Sequence, residues 1–387
     1  NPRPSWITVE QTPSEHEDCE VHRSTELNLF GLVNFLHGVC CRIARLFGRE
    51  LQINYFAELL CIPDAEIAWL TTPRGLALAK SCELIYVSCS PFSASLSGCI
   101  LKLLTGKPLV LDFRDAWTLN PHIKHARLHR AIISLLERFV LARCDALIVN
   151  TNGALRLYRQ RYPEYQEKIT AIPNGYDKLA IAPAQPEHKS FVIMHVGSFY
   201  SLRQPDLFLE ALSELKLPDA EFVQVGPGCS AIEKYRSHLR IRTIKSVPHD
   251  EALELMKTAS VLYLKQGHEQ AADNYIAVAA KTYEYLASGL PIICDAPPGD
   301  NVDIVREYAA QCYIVTEPDT EKLKQAILDA YANRNRRQLK VTEKFAADFS
   351  RLTLSRKLAD VFNRVVQPEA KNSSESETTQ EHRRRAC

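Results

Sequence analysis

The chain has 387 residues, of which 46% are hydrophobic and 24% charged, a globular balance with enough apolar material for two cores of ordinary domain size. Its formal charge of +1 provides no global field to draw in nucleic acid or an acidic surface, so any electrostatic steering must be local. No apolar run approaches the roughly 18–20 residues that span a bilayer, and the 12 cysteines contain no C-x-x-C pair, which points to buried thiols in a reducing cytosol.

In chain order, Trp6 to Val9 and Cys19 to His22 read as short strands, with no Gly-rich loop before them. The start at Asn1 close to a strand-like run suggests that something upstream is missing. Gly31 to Arg49 is helical: Leu32, Phe35, Leu36, Val39, Ile43, Leu46 and Phe47 recur at helical spacing, with Arg42, Arg45 and Arg49 as a basic edge. Two readings stand for it, a helix packed on the core with a solvated rim and a helix lying on an anionic membrane surface.

From Leu84 strands and helices alternate regularly. Leu84–Ser88, Leu109–Phe113, Ala146–Asn150 and Ile169–Ile172 read as strands, and Phe92–Leu104, Arg127–Leu141 and Ala154–Arg161 as helices. Alternation of this kind predicts a doubly wound parallel sheet, in which ligands bind beyond the carboxyl ends of the strands. Three such ends carry chemistry: SCSPF at 88–92; DFRDAW at 112–117, with Arg114 and Asp115 as a charged pair suited to a sugar or phosphate; and IPNGYD at 172–177, where Asn174-Gly175 predicts a left-handed turn. His122, His125 and His129 share roughly one helical face without a carboxylate or Cys at metal-ligand spacing, so no metal site is expected.

A Pro- and Ala-rich linker runs from Ala180 to Lys189, and a second alternating set follows. Phe191–Val196 is a strand that ends in Gly197-Ser198; Gly197 lets the chain pass close to a ligand, and Arg203, six residues on, is placed to meet a diphosphate. Helices are expected at Leu207–Leu215, Glu251–Thr258 and Glu321–Asn333, and strands at Glu221–Val225, Thr243–Val247 and Val261–Leu264. Gly226-Pro-Gly228 is no nicotinamide fingerprint, because Ala231 stands where its third glycine should be. In AVAAKTYEYLASGLPIICDAPP, from Ala277 to Pro298, Ser288-Gly289 ends a helix and Leu290–Cys294 reads as a buried strand. Lys281 lies in the first turn of that helix, where backbone N–H groups and the macrodipole favour a phosphate. Glu284, one turn on, can accept hydrogen bonds from sugar hydroxyls. Phe345–Val366 reads as two helical segments, and residues 367–387 as a disordered tail.

These strings together resemble the family 4 retaining glycosyltransferases of GT-B fold. The residues that carry the likeness are T-G-K-P-L-V-L-D-F-R-D-A-W ending at Trp117, I-P-N-G-Y-D ending at Asp177, G-S-F-Y-S-L-R ending at Arg203, and K-T-Y-E-Y-L-A-S-G-L-P-I from Lys281 to Ile292. The resemblance implies two Rossmann-like doubly wound domains with a cleft between them: an acceptor-side domain over 1–180 that reads as amino-terminally truncated, a nucleotide-sugar domain over 190–345, and helices over 346–366 that return toward the first. It implies transfer from a nucleotide-diphospho-sugar to a saccharide or lipid-linked acceptor in polysaccharide or glycoconjugate synthesis, without a metal or other cofactor. Donor-binding residues would be Gly197, Ser198, Arg203, Lys281 and Glu284, with Glu284 on the ribose; Arg114 and Asp115 would be catalytic, and Asn174 and Gly175 architectural. Ile276 replaces the first carboxylate of the family's paired-glutamate motif, with Glu269 nearby but out of register. That departure, with the missing Gly-rich loop, leaves a second reading, a catalytically impaired GT-B protein that binds a nucleotide or sugar or scaffolds an assembly.

Overall fold

A computed structural model describes residues 20, 22, 29–46, 62–64, 66–67, 73–120, 127–177, 190–199, 203–268, 276–335 and 341–367. Most of the stretch expected to hold two amino-terminal strands, the linker at 180–189, Arg49, His122, His125, Glu269 and the tail after Gln367 lie outside the described residues.

The elements alternate as the apolar pattern demands. Helix α1 spans Leu29–Leu46, α2 Pro73–Ser81, β1 Ile85–Cys89, α3 Ser93–Thr105, β2 Leu109–Phe113, α4 Arg127–Arg143, β3 Ala146–Val149, α5 Asn152–Arg161 and β4 Ile169–Ala171. The second series is β5 Phe191–Val196, α6 Asp206–Leu215, β6 Ala220–Val225, α7 Ser230–Tyr235, β7 Ile241–Ile244, α8 His249–Met256, β8 Val261–Lys265, α9 Ala280–Ser288, β9 Ile292–Asp295, α10 Asp300–Tyr308, β10 Cys312–Val315 and α11 Thr320–Ala332. Helices α12 Glu343–Phe349 and α13 Arg351–Val366 follow. Strands β1 to β4 form one sheet in sequence order, and the other six form a sheet in the order β10-β9-β8-β5-β6-β7. The strand pairs β1/β2, β5/β6, β5/β8, β6/β7, β8/β9 and β9/β10 are all parallel. The protein is thus mixed α/β with two parallel, Rossmann-like sheets.

The chain divides into two compact units: Asn1–Thr118, Lys124–Leu147 and Arg364–Cys387 form the first, and Leu119–Ile123 with Ile148–Asn363 the second. In the first, all five residues of β2 are buried, and Phe92 stacks on Trp117 with ring centroids 4.8 Å apart. Buried Glu137 accepts a hydrogen bond from the Thr118 N–H at 3.1 Å, which pins the segment after β2. In the second unit the central strand alternates between two cores, as a sheet covered on both faces requires. Val192 and Met194 pack with Tyr283, Leu286 and Ile292; Phe191 and Ile193 pack with Phe208, Tyr263 and Ile327.

Helix α1 settles which way an amphipathic face points. Val33 is buried, and Cys40 and Ala44 are half-buried, whereas Phe35, Leu36, Val39, Ile43 and Leu46 face outward, Phe35 at 68% and Leu46 at 83% exposure. The apolar stripe is the solvent side of this helix, and exposed Arg42 and Arg45 run along its edge. No described helix is long and apolar enough to cross a membrane.

Candidate functional site

In the six-stranded sheet the chain runs β5, β6, β7 to one side and β8, β9, β10 to the other, so the order reverses between β5 and β8. Loops leaving the carboxyl ends of two strands at such a point diverge and open a crevice, where α/β sheets bind ligands. One of those loops begins with Gly197 and Ser198 and leads to Arg203; the other leads into α9.

Six of the nine residues of α9 are buried: Thr282, Tyr283, Tyr285, Leu286, Ala287 and Ser288 all face protein. The exceptions include Lys281 and Glu284, three residues apart and so on one face, as the sequence predicts. The helix stops where Gly289 adopts the left-handed conformation, φ 68°, and its N–H bonds to the Leu286 carbonyl at 3.1 Å. At the other end the cap residue is Ala279, which supplies no side-chain acceptor to the first turn, and such an uncapped end suits a phosphate.

Lys281 reaches from that end to the turn after β5. A Cβ on Gly197, whose φ is +114°, would lie 2.8 Å from the Lys281 Nζ, so the absent side chain is what admits the ammonium. Lys281 Nζ is 2.8 Å from His195 Nε2. Burial draws the Lys281 pKa down from 10.5 to about 7; the positive charge of Arg203 pushes the same way and Glu284 opposes it. Burial raises the pKa of Glu284, against the pull of His249, Arg351 and Lys281 and with a push from Asp177. His249 Nε2 lies 3.6 Å from its carboxylate.

Four predicted donor-side residues are therefore one electrostatic cluster in the second unit: Gly197, Arg203, Lys281 and Glu284. Ser198 follows Gly197 and is half-buried. The cluster has members that composition and motif do not announce, namely His195, Gln224, His249, Arg351 and Asp177. A His two residues before the glycine of a buried strand is the visible signal for the first of them.

Asn174 and Gly175 hold a different place from the one predicted. Neither has a positive φ. The expected left-handed turn is absent because the backbone there must run against α12: a Cβ on Gly175 would collide with the Phe349 carbonyl and lie 2.6 Å from Leu354 Cδ1. The adjacent Tyr176 N–H bonds to the Phe349 carbonyl at 3.1 Å, and Arg351 pairs with Asp177 at 2.9 Å. Gly175 serves close approach instead of handedness. Ile276 is a buried packing residue whose carbonyl accepts a hydrogen bond from Thr151 Oγ1 at 3.0 Å.

Arg114 and Asp115 belong to the first unit, after β2. The Arg114 guanidinium turns back on Asp112, with Nε 2.7 Å and Nη2 2.5 Å from Oδ1, and Tyr86 donates its hydroxyl to the other carboxylate oxygen. Asp115 is exposed. Among the described residues no cluster of three His, Cys, Asp or Glu side chains is arranged to hold a metal ion.

Comparison with known families assigns most of the chain. Residues 59–178 match the model for Glycosyltransferase Family 4, and residues 178–344 match that for Glycosyl transferases group 1. No curated protein matches. Among solved structures, HepE of Anabaena in complex with UDP is 16% identical, with 75% of this chain and 81% of that one covered and a TM-score of 0.56. A glycosyltransferase from Rickettsia africae is 14% identical over 77% of this chain and 83% of its own, TM-score 0.59. Sucrose-phosphate synthase from Thermosynechococcus elongatus is 14% identical over 75% of each chain, TM-score 0.57. At these identities the structures share a fold with this chain.

Proposed function

Because the chain belongs to the group 1 glycosyltransferases of GT-B fold, we propose that it moves a hexose, with retention, from a nucleotide-diphospho-sugar to a lipid-linked or saccharide acceptor. The observation that carries this reading is the meeting of Lys281, Arg203 and Gly197 at the reversal point of the second sheet, with Glu284 one turn along α9. A diphosphate is the ligand such a cationic, uncapped end favours, and Glu284 is spaced to accept the hydroxyls of an attached ribose. The HepE structures with UDP and with UDP-glucose support a donor of this class.

In the transfer, the bond from the anomeric carbon to the phosphate oxygen breaks and its electron pair stays on the diphosphate. The acceptor oxygen attacks from the same face, and its proton passes to the departing phosphate oxygen. Lys281 and Arg203 sit where that negative charge grows, so the protein's own cations supply the stabilisation and no metal is required. Arg114, fixed by Asp112, and exposed Asp115 are the catalytic residues of this proposal.

The outward stripe of α1 supports an acceptor held at a membrane. Five exposed apolar side chains beside Arg42 and Arg45 form the pattern of a helix lying in an anionic lipid interface. Helix α4 of the same unit adds exposed Leu128 and Leu135. A cytosolic site, on the inner membrane face, agrees with buried Cys89 and Cys294, neither of which is in a disulfide.

Calorimetric titration with UDP-, GDP- and ADP-sugars tests the reading. One base should bind in the micromolar range, and product release should follow when acceptor lipid is added. Failure of all three to bind would leave the alternative of a non-catalytic GT-B scaffold.

A further inference from the structure

His195 lies on the central strand of the second sheet, directly opposite Gln224 in the register of β5 and β6. Both are buried polar side chains; β5 is otherwise apolar, and β6 has Glu221 as its one other polar residue. The Gln224 amide has only one orientation that suits its neighbours: Nε2 donates to the Gly197 carbonyl at 2.5 Å and to the Pro227 carbonyl at 3.3 Å. Its Oε1 then faces His195 Nδ1 at 2.8 Å, which places the imidazole proton on Nδ1 and leaves a lone pair on Nε2. That lone pair receives the Lys281 ammonium at 2.8 Å. Phe199, stacked on the ring at 3.8 Å between centroids, holds its plane.

A chain of fixed polarity therefore runs from the Gly197 carbonyl through Gln224 and His195 to Lys281. Among the described residues the hydrogen-bond partner of Lys281 is this neutral acceptor rather than a carboxylate. The charged groups that act on it are Arg203, from the loop after β5, and Glu284, from its own helix; Glu284 in turn faces His249 of α8 and the charge of Arg351.

We propose that His195 and Gln224 are positioning residues for Lys281, and that the diphosphate of the donor is bound together with one proton, taken up by Lys281. The inference rests on the donor-binding reading above and adds to it a relay and a proton stoichiometry. Burial, with the field of Lys281, holds His195 well below its ordinary pKa, so the imidazole stays neutral and cannot itself be the proton's destination. With Lys281 at about 7, roughly a tenth of the empty sites carry an ammonium at pH 8. An entering dianion reverses that balance, because it sets two further negative charges against the ammonium.

The test is calorimetry of UDP-glucose, or of the ADP or GDP sugar where that is the one that binds, at pH 8 in Tris and in Hepes. A diphosphate diester does not titrate near this pH, so a difference between buffers counts protons on the protein. Uptake of about 0.9 proton per nucleotide is expected, with affinity falling about tenfold per pH unit above pH 8. Lys281→Arg, charged at every pH used, should bind with no uptake and no such slope. His195→Leu should weaken binding at least tenfold, and His195→Gln, which keeps an acceptor, should recover it to within threefold. Binding with the same heat in both buffers, or equal affinity in the two His195 variants, would overturn the relay while leaving the donor site intact. Absence of binding by any nucleotide sugar would remove the donor reading and the relay with it.

Discussion

Replacing Lys281 by methionine separates stability from function in a way that can be worked out in advance. Lys281 is half-buried, with its ammonium against His195 Nε2 and the Arg203 charge nearby. The folded pKa, about 7, lies below the ordinary 10.5, so between these values the folded state binds fewer protons than the unfolded chain. Stability of the natural protein therefore rises with pH across that window, and the cost of holding the charge is fully present below pH 7. The linkage relation sets this cost at roughly 5 kcal/mol at pH 6 and roughly 2 kcal/mol at pH 9. Methionine removes it but strands the His195 acceptor, which returns about 1–3 kcal/mol. Urea unfolding followed by circular dichroism should show Lys281→Met more stable than the natural protein by about 2–4 kcal/mol at pH 6 and about equal to it at pH 9, while donor binding is lost. A variant that is less stable at pH 6, or whose difference is the same at both pH values, would show that burying the Lys281 ammonium carries no such cost.

The remaining predictions concern three other places. Glu284→Ala should reduce donor affinity or turnover at least tenfold, because a hydrogen bond to a charged group contributes roughly 1.5–3 kcal/mol; steady-state kinetics on the folded variant checks it, and unchanged values would take Glu284 out of the site. Gly175→Ala should destabilise by roughly 1–3 kcal/mol, as overpacking against the Phe349 carbonyl and Leu354 forces backbone shifts, and a thermal midpoint equal to that of the natural protein would contradict the close approach. Phe35→Asp with Ile43→Asp should lower binding to vesicles of anionic phospholipid more than tenfold without a change in circular dichroism, since both side chains are exposed; vesicle sedimentation reads this, and equal binding would place the lipid contact elsewhere.

Much of the frame was legible because parallel strands buried on both faces leave continuous apolar runs. Strands Leu109–Phe113 and Phe191–Val196 have the predicted ends, and α9 stops at Gly289 as its sequence announces. What escaped is what short or locally polar stretches conceal. Helix α10 follows Pro297-Pro298-Gly299 and opens on Asp300 and Asn301, so it reads as loop, although Asp300 is buried and accepts a bond from the Gly153 N–H at 2.7 Å. Helix α2 hides behind its leading Pro73, and β10 is only four residues long.

The site divides in the same manner. Lys281, Glu284, Gly197 and Arg203 are visible because each stands in or beside a recognisable element. The Asn174-Gly175 signal misleads because a local preference for a left-handed turn yields to the tertiary demand of the Phe349 carbonyl. His195 and Gln224 are paired only by strand register, which a linear reading does not supply. Helical periodicity likewise shows that α1 has an apolar stripe but not that the stripe faces away from the core.

The most direct measurement is a crystal structure of the protein with a bound nucleoside diphosphate. The distal phosphate should lie within hydrogen-bond distance of Lys281 Nζ, at the amino end of α9, with Arg203 on the same oxygens and Glu284 on the ribose. A nucleotide seated elsewhere, with Lys281 unmoved on His195 and no anion near the end of α9, would contradict it.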